Sequence, residues 1–188
     1  MEIGPSLPTN NSKVFTVIRA SMALMEEVQK CINENAFLYE SIVDPKDLGE
    51  HHVDTAWAER NFKIREFYVA RAEGEFVGAA SYQNLGVFAY IGYFYIKPKC
   101  HKQGYGQQLM RFLEMRTQTD NLTDLRLFAN SKAEWALNFY ERVGFKVLMT
   151  EKQDILYLEN GVFKPFYEEG AHLLQKILPK PVLKNISV

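Results

Sequence analysis

One stretch, residues 90–114, constrains the fold of this chain more than any other. It begins with residues 90–96, a run of aromatic and β-branched residues that favours a buried strand. A turn containing proline, lysine and glycine follows over residues 97–105, and residues 106–114 have the apolar spacing of a packed helix face. A strand that runs through a glycine turn into a helix presents free backbone N–H groups and the positive end of the helix dipole. The stretch therefore predicts an anion site that suits a phosphate.

Two glycines in the turn, Gly104 and Gly106, leave the backbone without a Cβ where a phosphate would approach. The turn ends Gly-Tyr-Gly-Gln, so it lacks the Lys-Ser/Thr of a nucleotide-binding P-loop. A dinucleotide fingerprint needs a third glycine, and Leu109 stands at that position. These two kinds of phosphate-ligand enzyme are therefore disfavoured, whereas the glycines alone are compatible with an ordinary tight turn.

The residues around the turn narrow the choice of ligand. The pattern F-Y-I-K-P-x-x-H-x-x-G-x-G, followed by an amphipathic helix, resembles the acetyl-CoA loop of the GNAT N-acetyltransferase superfamily. Downstream, residues 125–145 resemble the second motif of that family, a strand followed by A-x-x-x-Y-x-x-x-G-F. The matching residues are Ala136, Tyr140, Gly144 and Phe145. The resemblance covers about residues 14–158, with two departures: His101 replaces the usual Gln or Arg, and Ala133 replaces a frequent Asn.

The resemblance implies acetyl-CoA as the cofactor, with the backbone N–H groups of residues 102–107 on its pyrophosphate. Lys97, Lys99 and Lys102 would add positive charge nearby, and the pantetheine arm would pair with the strand backbone as an added strand does. His101 is either a further donor or a turn residue, and Asn130 either contacts the cofactor or caps a helix. The predicted cofactor-binding residues are Phe94, Tyr95, Ile96, His101, Lys102, Gln103, Gly104, Tyr105, Gly106, Gln107, Asn130 and Asn138.

Acyl transfer from a thioester to an amine needs a neutral amine, donors for the tetrahedral oxyanion and a proton for the departing thiolate. The family motif makes Tyr140 the predicted general acid, because a phenol with a pKa of about 10 can protonate a thiolate and recover its proton from solvent. Without the motif, core packing is the commoner fate of such a tyrosine. The predicted oxyanion donor is a backbone N–H of the cofactor strand. No carboxylate lies in residues 87–96, so the base is a carboxylate elsewhere, such as Glu40 or Asp54, or no side chain at all.

Composition excludes several other classes of protein. At 188 residues, with 47% hydrophobic residues, the chain is long and apolar enough for one folded domain. The 22 basic and 23 acidic residues nearly cancel, and without a polybasic block nucleic acid is not an expected partner. The longest apolar run, residues 87–96, is too short to cross a bilayer, so no membrane partner is expected. Residues 1–12 lack the apolar core of an export signal, and Cys31 and Cys100 match no metal or redox spacing. A reduced, cytoplasmic protein is expected.

The order of predicted elements gives an α+β fold, with a mixed, mostly antiparallel central sheet of about seven strands flanked by helices and an extra C-terminal helix. The predicted strands are residues 14–19, 66–72, 76–82, 87–96, 124–129, 145–150 and 154–158. The predicted helices are residues 21–34, 45–61, 104–119, 132–143 and 165–177. Residues 1–13 are expected to be a flexible tail and 14–158 the acetyltransferase domain. Residues 159–188 are expected to pack on the domain or on a partner, with a homodimer as one option.

The acceptor is the least constrained part of the prediction. Residues 31–61 carry seven acidic residues against Lys46 and Arg60, which is either a solvated surface or an acidic rim that concentrates a cationic amine. The acidic residues are Glu34, Glu40, Asp44, Asp47, Glu50, Asp54 and Glu59. His51 and His52 are adjacent and cannot share a helix face, so no metal is predicted. The expected partner is a small or cationic amine. The alternatives are a protein N-terminus or lysine, and a non-catalytic acyl-CoA-binding regulatory module.

Overall fold

The computed structural model describes residues 14–180 and contains a sheet of eight strands flanked by five helices. The strands are β1 (Phe15–Arg19), β2 (Glu66–Ala72), β3 (Glu75–Asn84), β4 (Ala89–Ile91), β5 (Phe94–Ile96), β6 (Asp124–Asn130), β7 (Lys146–Met149) and β8 (Ala171–Ile177). The helices are α1 (Met25–Asn35), α2 (Thr55–Ile64), α3 (Tyr105–Thr119), α4 (Glu134–Arg142) and α5 (Lys152–Tyr157). The predicted tail, residues 1–13, and residues 181–188 lie outside this description.

The predicted α+β class and mostly antiparallel sheet are confirmed. The strand order is β1-β2-β3-β4-β6-β8-β7, and β5 pairs with β3 beside this path. Only β4 and β6 pair in parallel among the described strands, because α3 carries the chain between them. One face of the sheet packs on α3 and α4 through Leu109, Leu113 and Tyr140. The other packs on α1 and α2 through Val28, Ile32 and Trp57.

The predicted C-terminal helix over residues 165–177 is wrong, because the chain forms strand β8 there. Gly170 has φ +78° and ends the preceding segment, and β8 pairs with both β6 and β7. Leu173 and Leu174 are both buried, but in different clusters on opposite faces of the sheet. Burial of adjacent residues on opposite faces of the sheet is typical of an interior strand. The apolar spacing of residues 165–177 also fits a helix face, so the sequence alone did not distinguish the two.

Three other predicted elements have different bounds or a different type. The predicted strand at residues 154–158 is wrong: α5 lies there, and β8 replaces it as the partner of β7. The predicted helix at residues 45–61 is a single 3₁₀ turn, Leu48–Glu50, followed by α2. Helix α2 begins after Asp54, whose Oδ1 accepts the Trp57 N–H at 2.8 Å. The predicted strand at residues 87–96 is divided into β4 and β5.

Candidate active site

The division between β4 and β5 opens the sheet at Gly92 and Tyr93. Before the break β4 pairs with β3 and β6, and after it β5 pairs with β3 alone. The buried Ser81 hydroxyl accepts the N–H groups of Gly92 at 3.2 Å and Tyr93 at 2.9 Å. One side chain therefore satisfies the amides at the break, and β5 and β6 separate beyond it.

The separation leaves one edge of β5 without a neighbouring strand among residues 14–180. Tyr93 accepts from Ser81 N at 2.7 Å, and Lys97 N donates to Val77 O at 2.9 Å, so these odd-numbered residues face β3. By antiparallel alternation, the backbone groups of Phe94 and Ile96 face the opening. Ile96 O is bonded there to His101 Nε2 at 2.8 Å and to Asn35 Nδ2 at 3.1 Å. A ligand in the opening can pair with the remaining groups as a strand would.

The glycine turn leads from β5 into the N-terminus of α3. Gly104 has φ +82° directly before the helix, a conformation that favours glycine, and Lys102 has φ +59°. The first N–H groups of α3 therefore point out of the helix towards the turn. Gly106 has a different role, since a Cβ there would lie 3.3 Å from ring atoms of Phe139. Its missing side chain lets α3 and α4 approach each other.

A cavity of about 670 Å³, here called the loop cavity, lies between this turn, β5 and α4. Nine of the twelve predicted cofactor residues line it: Phe94, Tyr95, Ile96, His101, Lys102, Gly104, Tyr105, Gly106 and Gln107. Leu38, Trp135 and Arg142, which the motifs did not predict, line it too. Lys102 and Arg142 are the basic side chains of this lining, apart from His101. The loop cavity thus combines an apolar strand edge with a positively charged helix N-terminus.

Three predicted cofactor residues lie outside the loop cavity. Gln103 Nε2 donates to Lys99 O at 3.0 Å, and Asn138 is exposed on α4. Asn130 Oδ1 accepts the Lys132 N–H at 2.9 Å in a local turn, and the alternative role as a helix cap is wrong because Ala133 is the cap residue of α4. The Lys97 ammonium lies 5.1 Å from the centre of the Phe76 ring and does not line the loop cavity.

A second cavity of about 470 Å³, here called the Gly92 cavity, lies at the strand break and is lined by Gly92 and Tyr93. It is lined by the 3₁₀ turn before α2, the end of α2, β4, β5 and the segment before β8. Pro165, Phe166, Tyr167 and Glu168 of that segment form part of its wall. Residues 165–168, which the sequence predicted to begin a C-terminal helix, therefore shape this cavity.

The two cavities meet at five residues that line both: Tyr39, Phe94, Tyr95, Ala136 and Tyr140. Tyr140 lies on α4 with its ring centre 6.3 Å from that of Phe94 and 5.8 Å from that of Phe145. Burial raises the pKa of the Tyr140 phenol well above its usual value of about 10. The phenol is therefore protonated at neutral pH, at the junction of two cavities that flank the open strand edge.

A hydrogen-bonded chain of three side chains reaches this junction, and the sequence motifs did not predict it. Glu168 Oε2 lies 3.2 Å from His51 Nε2, and His51 Nδ1 lies 3.0 Å from the Tyr95 hydroxyl. His51 is buried, and its ring stacks on Tyr39 at 4.1 Å. Because 117 residues separate His51 from Glu168, no spacing in the sequence signals that they meet.

The acidic residues of 31–61 are mostly engaged elsewhere. Asp47 and Glu50 line the Gly92 cavity, and the other five do not. Glu50 accepts from the Tyr93 hydroxyl and from Trp57 Nε1, whereas Glu40 pairs with the exposed His52 at 3.3 Å. Asp54 caps α2. Neither Glu40 nor Asp54 reaches the junction, so neither named candidate for the base lies at the site.

The sequence matches a family model described as an acetyltransferase (GNAT) domain over residues 23–155. The chain belongs to this family. Its two motifs thus place a GNAT loop and a GNAT second helix around the loop cavity. No curated protein sequence matches this GNAT chain. In residues 14–180, no cluster of His, Cys, Asp and Glu is suited to a metal ion, and no helix combines the length and apolarity that a membrane crossing requires.

Solved N-acetyltransferase structures share this GNAT fold. PaiA N-acetyltransferase from Thermoplasma acidophilum, solved with coenzyme A, has 15% identity and a TM-score of 0.67; the match covers 87% of this chain and 99% of that chain. N-acetylglutamate synthase from Neisseria gonorrhoeae, complexed with coenzyme A and N-acetyl-glutamate, has 16% identity and a TM-score of 0.65, over 90% of this chain and 36% of that chain. The ribosomal-protein-S18-alanine N-acetyltransferase from Escherichia coli has 13% identity and a TM-score of 0.61, over 93% and 100%. Their differing names show that the fold alone does not select an acceptor.

Proposed function

We propose that this GNAT protein transfers the acetyl group of acetyl-CoA to the primary amine of a small acceptor, by direct attack of the amine. The observation that carries the proposal is the meeting of the loop cavity and the Gly92 cavity at Tyr140 and Phe94. A donor in one cavity and an acceptor in the other would meet at the open edge of β5. Direct transfer needs this arrangement, since both substrates must be bound together.

The loop cavity suits acetyl-CoA, which supplies a thioester carbonyl when bound. The N–H groups of Tyr105, Gly106 and Gln107 at the start of α3 are the proposed pyrophosphate contacts, with Lys102 and Arg142 adding positive charge. The open edge of β5 is the proposed partner of the pantetheine amides. Its Phe94 and Ile96 N–H groups are the proposed oxyanion donors.

Tyr140 is the proposed general acid. A thiolate that departs from the loop cavity would leave next to the junction that Tyr140 lines. Burial keeps the phenol protonated at neutral pH, so Tyr140 has a proton to offer to the departing thiolate beside it. The aromatic contacts with Phe94, Phe139 and Phe145 hold the ring in place.

The chain Tyr95–His51–Glu168 is the proposed route for the proton that the acceptor ammonium must lose. The Tyr95 oxygen would take the proton from the amine while its own proton passes to His51 Nδ1. Glu168 beside Nε2 would hold the required tautomer and stabilise the imidazolium that forms. This assigns a base that does not lie on the cofactor strand.

The size of the Gly92 cavity supports a small amine as the acceptor. Residues Pro165, Phe166, Tyr167 and Glu168 wall it on one side, and its volume of about 470 Å³ matches a small molecule. A protein N-terminus or a lysine side chain is the alternative acceptor. A non-catalytic acyl-CoA-binding module is the alternative from another class.

A thiol-release assay with acetyl-CoA across amino acids, polyamines, aminoglycosides and short peptides tests the proposal, with calorimetric CoA binding alongside. We expect CoA binding together with release that depends on a small amine. Release with peptides alone would favour the protein acceptor, and tight CoA binding without release across all classes would favour the binding module. Absence of CoA binding would contradict the assignment of the loop cavity.

A further inference from the structure

Arg65 directly follows α2 and extends its guanidinium into the wall of the Gly92 cavity. Its Cζ lies 5.0 Å from the centre of the Tyr93 ring and 5.3 Å from that of the Phe166 ring. An added Cβ at Gly92 would lie 2.2 Å from Arg65 Nη1, so the guanidinium occupies the space beside the strand break. Two aromatic faces and a glycine therefore fix this cation in one position.

Arg65 differs from the other partly buried or buried arginines of residues 14–180 in its partners. Arg71 pairs with Glu27 at 2.7 Å, Arg116 with Asp120, and Arg126 with Asp124 at 2.7 Å. No carboxylate of the described residues lies within 4.0 Å of the Arg65 guanidinium, and its Nε is buried without a hydrogen-bond partner. A buried donor on a charged group normally has a partner, since leaving it unsatisfied is costly.

The acidic groups of the same cavity already have donors. Glu50 accepts from Tyr93 and Trp57, Glu168 lies against His51, and Asp47 accepts the Glu169 N–H at 3.0 Å. The aromatic rings over Arg65 offer cation–π contacts but no acceptor for its N–H groups. The guanidinium fork therefore presents a place for a planar anion.

We infer that Arg65 binds a carboxylate of the acceptor, so that the acceptor class is a small amino acid with a free carboxylate and a primary amine. This inference rests on the proposed function. Gly92 and Phe94 are two residues apart, so the chain between them spans at most about 7 Å. A carboxylate on Arg65 beside Gly92 would place a nearby amine at the junction next to Phe94. Only a short spacer between carboxylate and amine fits this distance, as in an α-amino acid or a short ω-amino acid.

Pairs of acceptors that differ only in the carboxylate test this inference: each amino acid is compared with its decarboxylated amine in wild type and in Arg65→Gln. In wild type, we expect kcat/KM to favour the amino acid by on the order of 10- to 100-fold, the scale of a charge-assisted bidentate contact. Arg65→Gln should raise KM for the amino acid by a similar factor and change KM for the decarboxylated amine by less than about threefold. Lys63→Gln removes an exposed positive charge of α2 that does not line the cavity, so it is the matched control.

A second readout does not need turnover. Calorimetry of amino-acid binding to the CoA complex should show weaker binding in Arg65→Gln, with CoA affinity and melting temperature close to wild type. If Arg65→Gln loses amino-acid binding but wild type shows no turnover, the carboxylate site is supported and the proposed acetyl transfer is contradicted. Equal use of amino acids and decarboxylated amines, or equal losses of both in Arg65→Gln, would overturn the carboxylate site. A lower melting temperature with unchanged acceptor preference would show instead that Arg65 pairs with a group of this chain.

Discussion

At the residue scale, the motif and the structure differ in what each could reveal about the chemistry. Tyr140 was predicted because A-x-x-x-Y-x-x-x-G-F is a local pattern, and the structure brings it to the junction of both cavities. His51 and Glu168 carry no local pattern, and only the fold brings them within 3.2 Å. The sequence could therefore predict the proposed acid but not the proposed base. The cofactor contact that the sequence predicted for Asn138 stays a prediction, since that side chain is exposed on α4.

Replacement of Tyr140 by phenylalanine tests the acid. Tyr140→Phe keeps the ring and its aromatic contacts but removes the proton, so we expect kcat to fall by about 10²- to 10⁴-fold. Calorimetric affinity for acetyl-CoA should stay within about threefold, because the phenol is not a proposed cofactor contact. Tyr157→Phe, at a side chain that is 74% exposed, is the control for loss of a hydroxyl. Similar losses of turnover and affinity in Tyr140→Phe would show that the residue only packs.

The proton route makes a separate prediction at His51. His51→Gln keeps hydrogen bonding but cannot become a cation, so we expect kcat to fall by about 10²-fold or more. Calorimetric affinity for CoA should stay within about threefold, because His51 does not line the loop cavity. His52→Gln is the matched control, because its neighbouring imidazole is exposed and pairs with Glu40. An unchanged kcat in His51→Gln would rule out the relay.

At the scale of elements, local signals predicted the strand–turn–helix unit and missed the break within it. The turn and α3 follow from glycines and apolar spacing, which act over a few residues. The break at Gly92 follows instead from tertiary contacts. Strand β5 pairs with β3, whereas β4 pairs with β6 as well, and the Ser81 hydroxyl accepts a backbone N–H between the two strands. The same limit explains β8, whose strand form depends on pairing with β6 and β7.

The contact between β3 and β5 depends on Gly78. A Cβ at this position would lie 2.6 Å from both Tyr95 O and Ile96 Cδ1, so β5 would have to move. We expect Gly78→Ala to lower the free energy of unfolding by about 1–3 kcal/mol in urea titrations, the usual cost of overpacking. Turnover per folded molecule should fall as well, since β5 carries the proposed oxyanion donors. Gly49→Ala, where nothing lies within 4 Å of the added Cβ, should leave stability nearly unchanged. Similar stability in the two variants would contradict the tight strand contact.

At the scale of the whole molecule, the site lies among several buried weak acids, one thiol and five phenols. Burial raises the pKa of the Cys31 thiol to about 12, and that of the Tyr39 phenol to about 12. Burial also raises the pKa values of Tyr90, Tyr93, Tyr95 and Tyr140 above the usual value for tyrosine. These groups line the cavities or pack behind them, so the apolar walls that shape the site also keep their protons in the folded state.

Their retained protons predict loss of stability at alkaline pH. Above pH 9.0, the Cys31 thiol ionises in the unfolded chain but stays protonated in the folded one, so the unfolded state is favoured as pH rises. The free energy of unfolding should fall towards a slope of about 1.4 kcal/mol per pH unit from this thiol alone, with the tyrosines adding to it above pH 10. Urea titrations between pH 8 and 10.5 measure the slope. Cys31→Ala should be less stable at pH 8, because it leaves a cavity, yet show a shallower decline above pH 9. A slope equal to that of wild type would mean that the thiol ionises as readily in the folded protein as in the unfolded chain.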